Sequence, residues 1–211
     1  MYIGRIVALG KTLSGNNCAM YRVSSRSFPN RQAVLKDKTV TVVPRPGFEQ
    51  DLQKNPYITY NCIRLERNCA IVSNGSHTDP IAEKIAMGMP VRDAVSLGLL
   101  AMDYEKDAFN TPRIVAVVAE NGDEGYLGII RHDALLVKSF KLQPGKINYI
   151  ATYEHIYPCG HYQDDNFTAV TAESACQYVI NGGIFAGFEH PVTAASAMAA
   201  GDGFTLSAVV V

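Results

Sequence analysis

Between Arg113 and Glu154 the chain runs through four β-like segments in succession, RIVAVVAE, EGYLGIIR, ALLVKSFKL and KINYIATYE, divided only by the turn sequences NGDE, HD and QPGK. Connections this short join antiparallel neighbours and leave no room for a crossover helix, so the stretch predicts a meander. A sheet built this way has an apolar face that other elements must cover.

The flanking segments supply the cover. Met1 to Leu9 and Cys18 to Ser24 read as two antiparallel strands joined through GKTLSGNN, and further strands are expected at Thr39 to Val43, Tyr57 to Leu65 and Ala70 to Val72. These form a first sheet, and the later meander forms a second. Between them, Thr78 or Asp79 caps a helix DPIAEKIAMGM with Pro80 in its first turn, and Pro90 opens PVRDAVSLGLLAMDYEK; both helices are expected on one sheet face. Ala172 to Ile180 and Val192 to Ala200 read as short Ala-rich helices, Phe204 to Val211 as the last strand, and Pro158 to Asn166 as a long polar loop. The order strands, helices, strands, helices predicts an α+β chain. It reads as one domain over residues 1–211, a four-layer αββα sandwich of two mainly antiparallel sheets.

Composition excludes several function classes. A net charge of −1 on 211 residues gives no general attraction to nucleic acid or to a membrane surface, so an anion site has to be local. The five cysteines are odd in number and contain no CxxC pair, which argues against a disulfide framework or zinc knuckle and for a reducing compartment. The short apolar N-terminus is interrupted by Arg5 and reads as a strand, and no stretch approaches a membrane span, so a cytoplasmic location is expected. The histidines lack metal spacing, and GxGxxG, P-loop and GxSxG motifs are absent, so neither a metal nor a cofactor is expected.

Four stretches carry candidate chemistry. In YRVSSRSFPNR, Tyr21 to Arg31, the guanidinium groups of Arg22, Arg26 and Arg31 stand among the hydroxyls of Ser24, Ser25 and Ser27, the chemistry of a phosphate clamp. Local pattern alone favours an exposed edge strand ending at Pro29. In SNGSHTD, Ser73 to Asp79, Gly75 permits a tight bend ahead of a helix N-terminus, which suits either an anion or an ordinary capped turn. Tyr60, Asn61 and Cys62 lie on one strand; Asn61 needs water or a ligand, while Cys62 reads as a buried inert thiol. DYEKDAFNTPR gathers Asp103, Glu105, Lys106, Asp107, Asn110 and Arg113, either a solvated helix end or the seat of a general base.

Taken in order, MYIGR, YRVSSRSFPNR, NPYITYNCIR, VSNGSHTDPI, GLLAMDYEKD with NTPRI, and HPVTAA closely resemble the archaeal-type IMP cyclohydrolase family over the full length. The resemblance implies an N-terminal nucleophile hydrolase-like fold and the last step of purine synthesis, in which 5-formamidoimidazole-4-carboxamide ribonucleotide closes its ring to IMP and water. Tyr2 follows Met1, so no Ser, Thr or Cys stands second to become the free nucleophile of that wider superfamily. By motif the family's essential glutamate falls on Glu105, and its arginine falls on Arg31 with Arg26 as fallback. Tyr60 is assigned to relay or orient. The 5′-phosphate is assigned to Arg22 or Arg26 with nearby hydroxyls such as Ser24. Base and ribose contacts fall to Asn61 and to the loop of Asn74, Gly75, Ser76, His77, Thr78 and Asp79. Lys106, Asn110 and Arg113 are assigned to positioning Glu105 or the substrate. The expected partner is a purine nucleotide; a homo-oligomer stays open, and the rival readings are a non-catalytic nucleotide sensor and an amidohydrolase.

Overall fold

A computed structural model describes residues 1–211. The opening hairpin, β1 (Ile6–Lys11) and β2 (Asn17–Ser24), shows how the molecule is layered, because β2 is buried at every position. Its side chains alternate between two cores. Ala19, Tyr21 and Val23 enter the core between the sheets, whereas Cys18 and Met20 enter a second core beneath a helix.

The next strands are β3 (Arg31–Lys36), β4 (Thr39–Pro44), β5 (Tyr60–Glu66) and β6 (Cys69–Ser73), with a one-turn helix α1 (Asp51–Lys54) and a 3₁₀ turn Pro56–Ile58 between β4 and β5. Helices α2 (Thr78–Ala86) and α3 (Val91–Met102) follow, then β7 (Arg113–Ala119), β8 (Glu124–Arg131), β9 (Ala134–Lys141) and β10 (Lys146–Ala151). The chain finishes with β11 (Gln163–Asp164), α4 (Ala172–Asn181), a 3₁₀ turn Gly183–Gly187, β12 (Pro191–Ala199) and β13 (Phe204–Val210). Strands β3 to β9 form one seven-stranded sheet in sequence order, and the other sheet runs β11-β10-β1-β2-β12-β13.

Helices α2 and α3 place Ile81, Ile85, Val95 and Leu99 on the outer face of the seven-stranded sheet, and α4 covers the six-stranded one with Ala175, Cys176 and Val179. The α+β, four-layer arrangement is therefore the one expected, with both early helices on one sheet. No helix is long and apolar enough to cross a membrane.

Five expectations need correction. The late meander is not a second sheet: β7 pairs with β6 and continues the first one, while β10 leaves through the QPGK turn to pair with β1. Turn chemistry reports chain reversal, not which sheet receives the next strand. Val192 to Ala200 is not a helix but β12, paired on both sides with β2 and β13. Alanine favours helix only weakly, and here small side chains fit a central strand pressed between α4 and the inter-sheet core. The expected strand from Tyr57 begins only at Tyr60, and Arg31–Lys36, read as following the end of a strand, is itself strand β3. The second helix stops at Met102, where Asp103 takes a left-handed φ of 52°.

Candidate active site

Antiparallel pairing sets the start of one strand beside the end of the next, so one end of the sandwich collects residues remote in sequence. Arg5 precedes β1, Arg31 begins β3, Tyr60 begins β5, Ser73 to His77 leave β6 and Arg113 begins β7. Glu105 hangs from the loop between α3 and β7. That loop is tied to itself: Asp107 Oδ1 accepts the backbone N–H groups of Phe109 and Thr111, its Oδ2 accepts the Thr111 hydroxyl, and the Glu105 N–H donates to Thr111 O at 2.9 Å.

The Glu105 carboxylate is 2% exposed and lies among cations. Arg5 Nη2 donates to its Oε2 at 3.1 Å, and Arg113 Nη1 stands 3.9 Å from its Oε1. Burial pushes the carboxyl above the ordinary range, opposed by Arg5, Arg113 and Arg31. On Arg5 burial works against the charge, yet Glu105, with Tyr60, Tyr21 and Tyr153, holds its pKa above the usual value. The two shifts pull in different senses for one ion pair. The Arg5 guanidinium is charged in any case, so the direction that matters chemically is the raised one on Glu105.

Tyr60 and Tyr21 share a hydrogen bond of 2.6 Å between hydroxyls in the buried inter-sheet core. Burial raises both phenols, while Arg31 and Arg5 favour the Tyr60 anion. Arg31 is 2% exposed and anchored by its Nε to Phe28 O at 3.1 Å. His77 donates from Nε2 to Ile114 O, since burial and Arg113 push its pKa down to about 3 and keep the ring neutral. Gly75 is glycine for space: a Cβ there would run into Arg113 Nη1 and crowd His77 Nδ1.

A cavity of about 460 Å³ opens beside this group, walled by Tyr2, Arg5, Ser25, Arg26, Ser27 and Tyr153 among others. Its size suits a mononucleotide. Arg26 is 59% exposed there, stacked 4.2 Å over the Tyr2 ring with Glu189 at 3.7 Å. Phe109, 74% exposed, stands at the rim shared with a second hollow of about 290 Å³ that includes Asn110.

Of the residues singled out in the sequence, the structure brings together Arg31, Tyr60, Gly75, Ser76, His77, Glu105 and Arg113, with Arg26 on the adjoining wall. The others lie elsewhere. Arg22 points to the opposite face of β2, where its guanidinium donates to the carbonyls of Val179, Ile180, Phe185, Phe188 and Glu189, and its Nε to the hydroxyl of Ser24. No donor of Arg22 is left over for a phosphate. Asn61 bonds Thr41 and Asp79, and Asp79 also pairs with Arg64, all on the helix side of the sheet. Asn74 fastens β6 to β7 through Ile114 N and Pro112 O, and Thr78 bonds Ser73 and Gly75 O inside the turn. Lys106 turns out to Asp103 and the Tyr104 ring, and Asn110 sits exposed in the loop with a φ of 48°.

Sequence reading missed Arg5 and Tyr21. A lone charge inside the apolar run MYIGRIVALG was the available signal for Arg5, because a charge entering a core needs a partner. Tyr21 carried only its alternation against Arg22. The cysteines are all free, and burial raises the Cys62 thiol, in keeping with an inert side chain.

The chain matches a family model described as IMP cyclohydrolase-like protein over residues 2–203. It is 49% identical to an IMP cyclohydrolase of Methanosphaera stadtmanae over 93% of this chain and 94% of the relative. It is 47% identical to one of Methanococcus maripaludis over 99% and 100%, and 45% identical to one of Methanocaldococcus jannaschii over 98% of each. With the family model spanning nearly the whole chain and relatives matching end to end, this chain belongs to the IMP cyclohydrolase family.

Proposed function

We infer that the chain is an IMP cyclohydrolase, closing the ring of 5-formamidoimidazole-4-carboxamide ribonucleotide to IMP with loss of water. The observation that carries the reading is Glu105, a buried carboxyl with a raised pKa, gripped by arginines next to a nucleotide-sized cavity. Relatives named for this reaction match along their whole length.

Ring closure is a proton problem. The carboxamide nitrogen is a weak nucleophile because its lone pair is delocalised, and the formyl oxygen leaves only after protonation. Glu105 takes a proton as the carboxamide nitrogen attacks the formyl carbon, then returns one to the departing hydroxyl, a cycle worth roughly 10²–10⁴ in rate. Its raised pKa brings both forms closer to neutral pH. Arg31 and Arg5 face the oxygen that gains negative charge, a contribution of about 3 kcal/mol for an oxyanion donor. Tyr60, held by Tyr21, orients or donates to the same atom. The 5′-phosphate goes to Arg26 with Ser25 and Ser27, since Arg22 is fully engaged by carbonyls. Holding the two reacting groups in one plane supplies much of the remaining acceleration.

The test is incubation of the purified protein with the formamido ribonucleotide, following IMP by ultraviolet absorbance and confirming it by mass. Turnover is expected, with Glu105→Gln losing roughly 10²–10⁴-fold while still binding nucleotide. Binding without turnover in the wild type points to a sensor, and a Glu105→Gln protein that cyclises normally removes Glu105 from the mechanism.

A further inference from the structure

The two oxygens of Glu105 have different surroundings. Oε2 is bonded by Arg5, which walls the large cavity. Oε1 has no partner in the protein and turns toward Gly75, whose ideal Cβ position lies 3.5 Å from it, 3.2 Å from His77 Nδ1 and against Arg113 Nη1. Seven buried side-chain atoms in the chain lack a protein partner, and all but Asn17 Oδ1 belong to this neighbourhood: Arg5 Nε, Thr59 Oγ1, His77 Nδ1, Glu105 Oε1, and Arg113 Nε and Nη1. Buried polar atoms are rarely left unbonded, so such a concentration points to a ligand.

A separate, much smaller cavity of about 40 Å³ lies here and is lined by Thr59, Tyr60, Gly75, Ser76, Glu105 and Arg113, among others. It is far too small for any part of a nucleotide ring, but it exceeds the roughly 10–15 Å³ that one water needs. Its walls are complementary to water: Glu105 Oε1 accepts, Arg113 Nη1 donates, and the Thr59 hydroxyl does either. Glu105 and Arg113 side chains are 2% and 5% exposed, so bulk solvent is no substitute.

Resting on the ring-closure reading above, we propose that this small cavity is a built site for one water molecule on the far side of Glu105, with Thr59 as a positioning residue that acts through that water. Ring closure forms the bond from the carboxamide nitrogen to the formyl carbon and breaks the bond from that carbon to its oxygen. The carboxamide and formamide nitrogens each lose one proton, and the oxygen departs with both as water. Glu105 carries these protons one at a time on the substrate side. The resident water holds Oε1, fixes the carboxyl plane and is regenerated unchanged. The charged and titratable groups facing Glu105 are Arg5 ahead of β1, Arg31 of β3, Tyr60 of β5, His77 ahead of α2, Asp107 of its own loop and Arg113 of β7. Only Thr59 among the cavity's polar side chains is uncharged, buried at its oxygen and without a protein bond, so its hydroxyl is removable without orphaning another group.

Two measurements test this. A high-resolution crystal structure of the intact protein is expected to show one ordered water bonded to Glu105 Oε1, Arg113 Nη1 and Thr59 Oγ1; a dry cavity, or Arg113 bonded directly to Oε1, overturns the site. Thr59→Val keeps the side-chain shape and removes one of the water's partners. It is expected to lower kcat by about 10-fold, the worth of one hydrogen bond, with KM unchanged. The acid limb of the pH profile should move to higher pH, because a weaker bond to the carboxylate disfavours its charged form, and Thr59→Ser should restore both. A wild-type profile in Thr59→Val overturns the role of Thr59. If the wild type fails to cyclise the nucleotide, the ring-closure reading falls, while the crystallographic water still decides the site.

Discussion

Removing Arg5 isolates the electrostatics of Glu105. At 3.1 Å, a guanidinium and a carboxylate in a medium of effective dielectric constant about 20 attract by about 5 kcal/mol, an upper bound. Arg113 at 3.9 Å remains, and the Arg5 side chain is 16% exposed, so water replaces part of the loss. The expected net rise in the Glu105 pKa is about 1–3 units. Because the base works ionised, kcat/KM falls as pH drops through that pKa, and in Arg5→Met the acid limb should stand about 1–3 pH units higher than in the wild type. The assay is IMP formation at subsaturating nucleotide across the pH range. Breaking a buried pair also costs about 3–5 kcal/mol of stability, so circular dichroism must accompany it. Arg5→Lys, which keeps the charge, should show a smaller shift. An acid limb that does not move in a folded Arg5→Met protein refutes the claim that Arg5 tunes Glu105.

Three further outcomes follow from side-chain placement. Arg26→Ala should raise KM for the nucleotide by about 10–100-fold with little change in kcat, as expected for losing a charge-assisted phosphate contact; an unchanged KM places the phosphate elsewhere. Arg22→Met should leave KM alone but lower urea-unfolding stability by at least about 3 kcal/mol, because five carbonyls lose their donor together. A KM effect in a stable Arg22 variant would return that residue to the substrate. His77 has a folded pKa pushed down to about 3, so the unfolded chain takes up its proton first and stability contributed by the neutral ring is lost as pH falls from about 6.5 toward 3. Chemical denaturation at pH 7 and at pH 4.5 should show His77→Gln losing less between the two than the wild type, by up to about 2 kcal/mol; equal losses would mean that His77 is not buried neutral.

The layers and the two early helices were legible because alternation and helical spacing are written into short windows. The partition of strands between sheets was not, since the QPGK turn ahead of β10 resembles the NGDE and HD turns that keep β8 and β9 in one sheet, and only distant partners decide where β7 and β10 pair. In YRVSSRSFPNR the chemistry was visible but its direction was not. Tyr21 and Arg22 are neighbours and so face opposite sides of β2, one toward the inter-sheet core beside Tyr60 and the other under α4. Asn61 and Asn74 look like ligand contacts by residue type, yet each is engaged by protein groups that meet it only in the folded state. Glu105 was found through resemblance, whereas its ion-pair partner lies 100 residues away in a segment that local pattern reads only as a strand.

The Arg22 anchor also bears on how the chain is made. Its carbonyl acceptors span residues 179–189, more than 150 positions downstream. On a ribosome the hairpin of β1 and β2 is synthesised early with a charge on a face that α4 will later cover, and apart from the Ser24 hydroxyl its hydrogen-bond acceptors arrive only when residues 179–189 have emerged. Contacts of such long range are slow to form and expose the early segment meanwhile. Completion of the six-stranded sheet is thereby a late event, and a chain cut short before residue 189 carries an unburied arginine where the finished protein has a core.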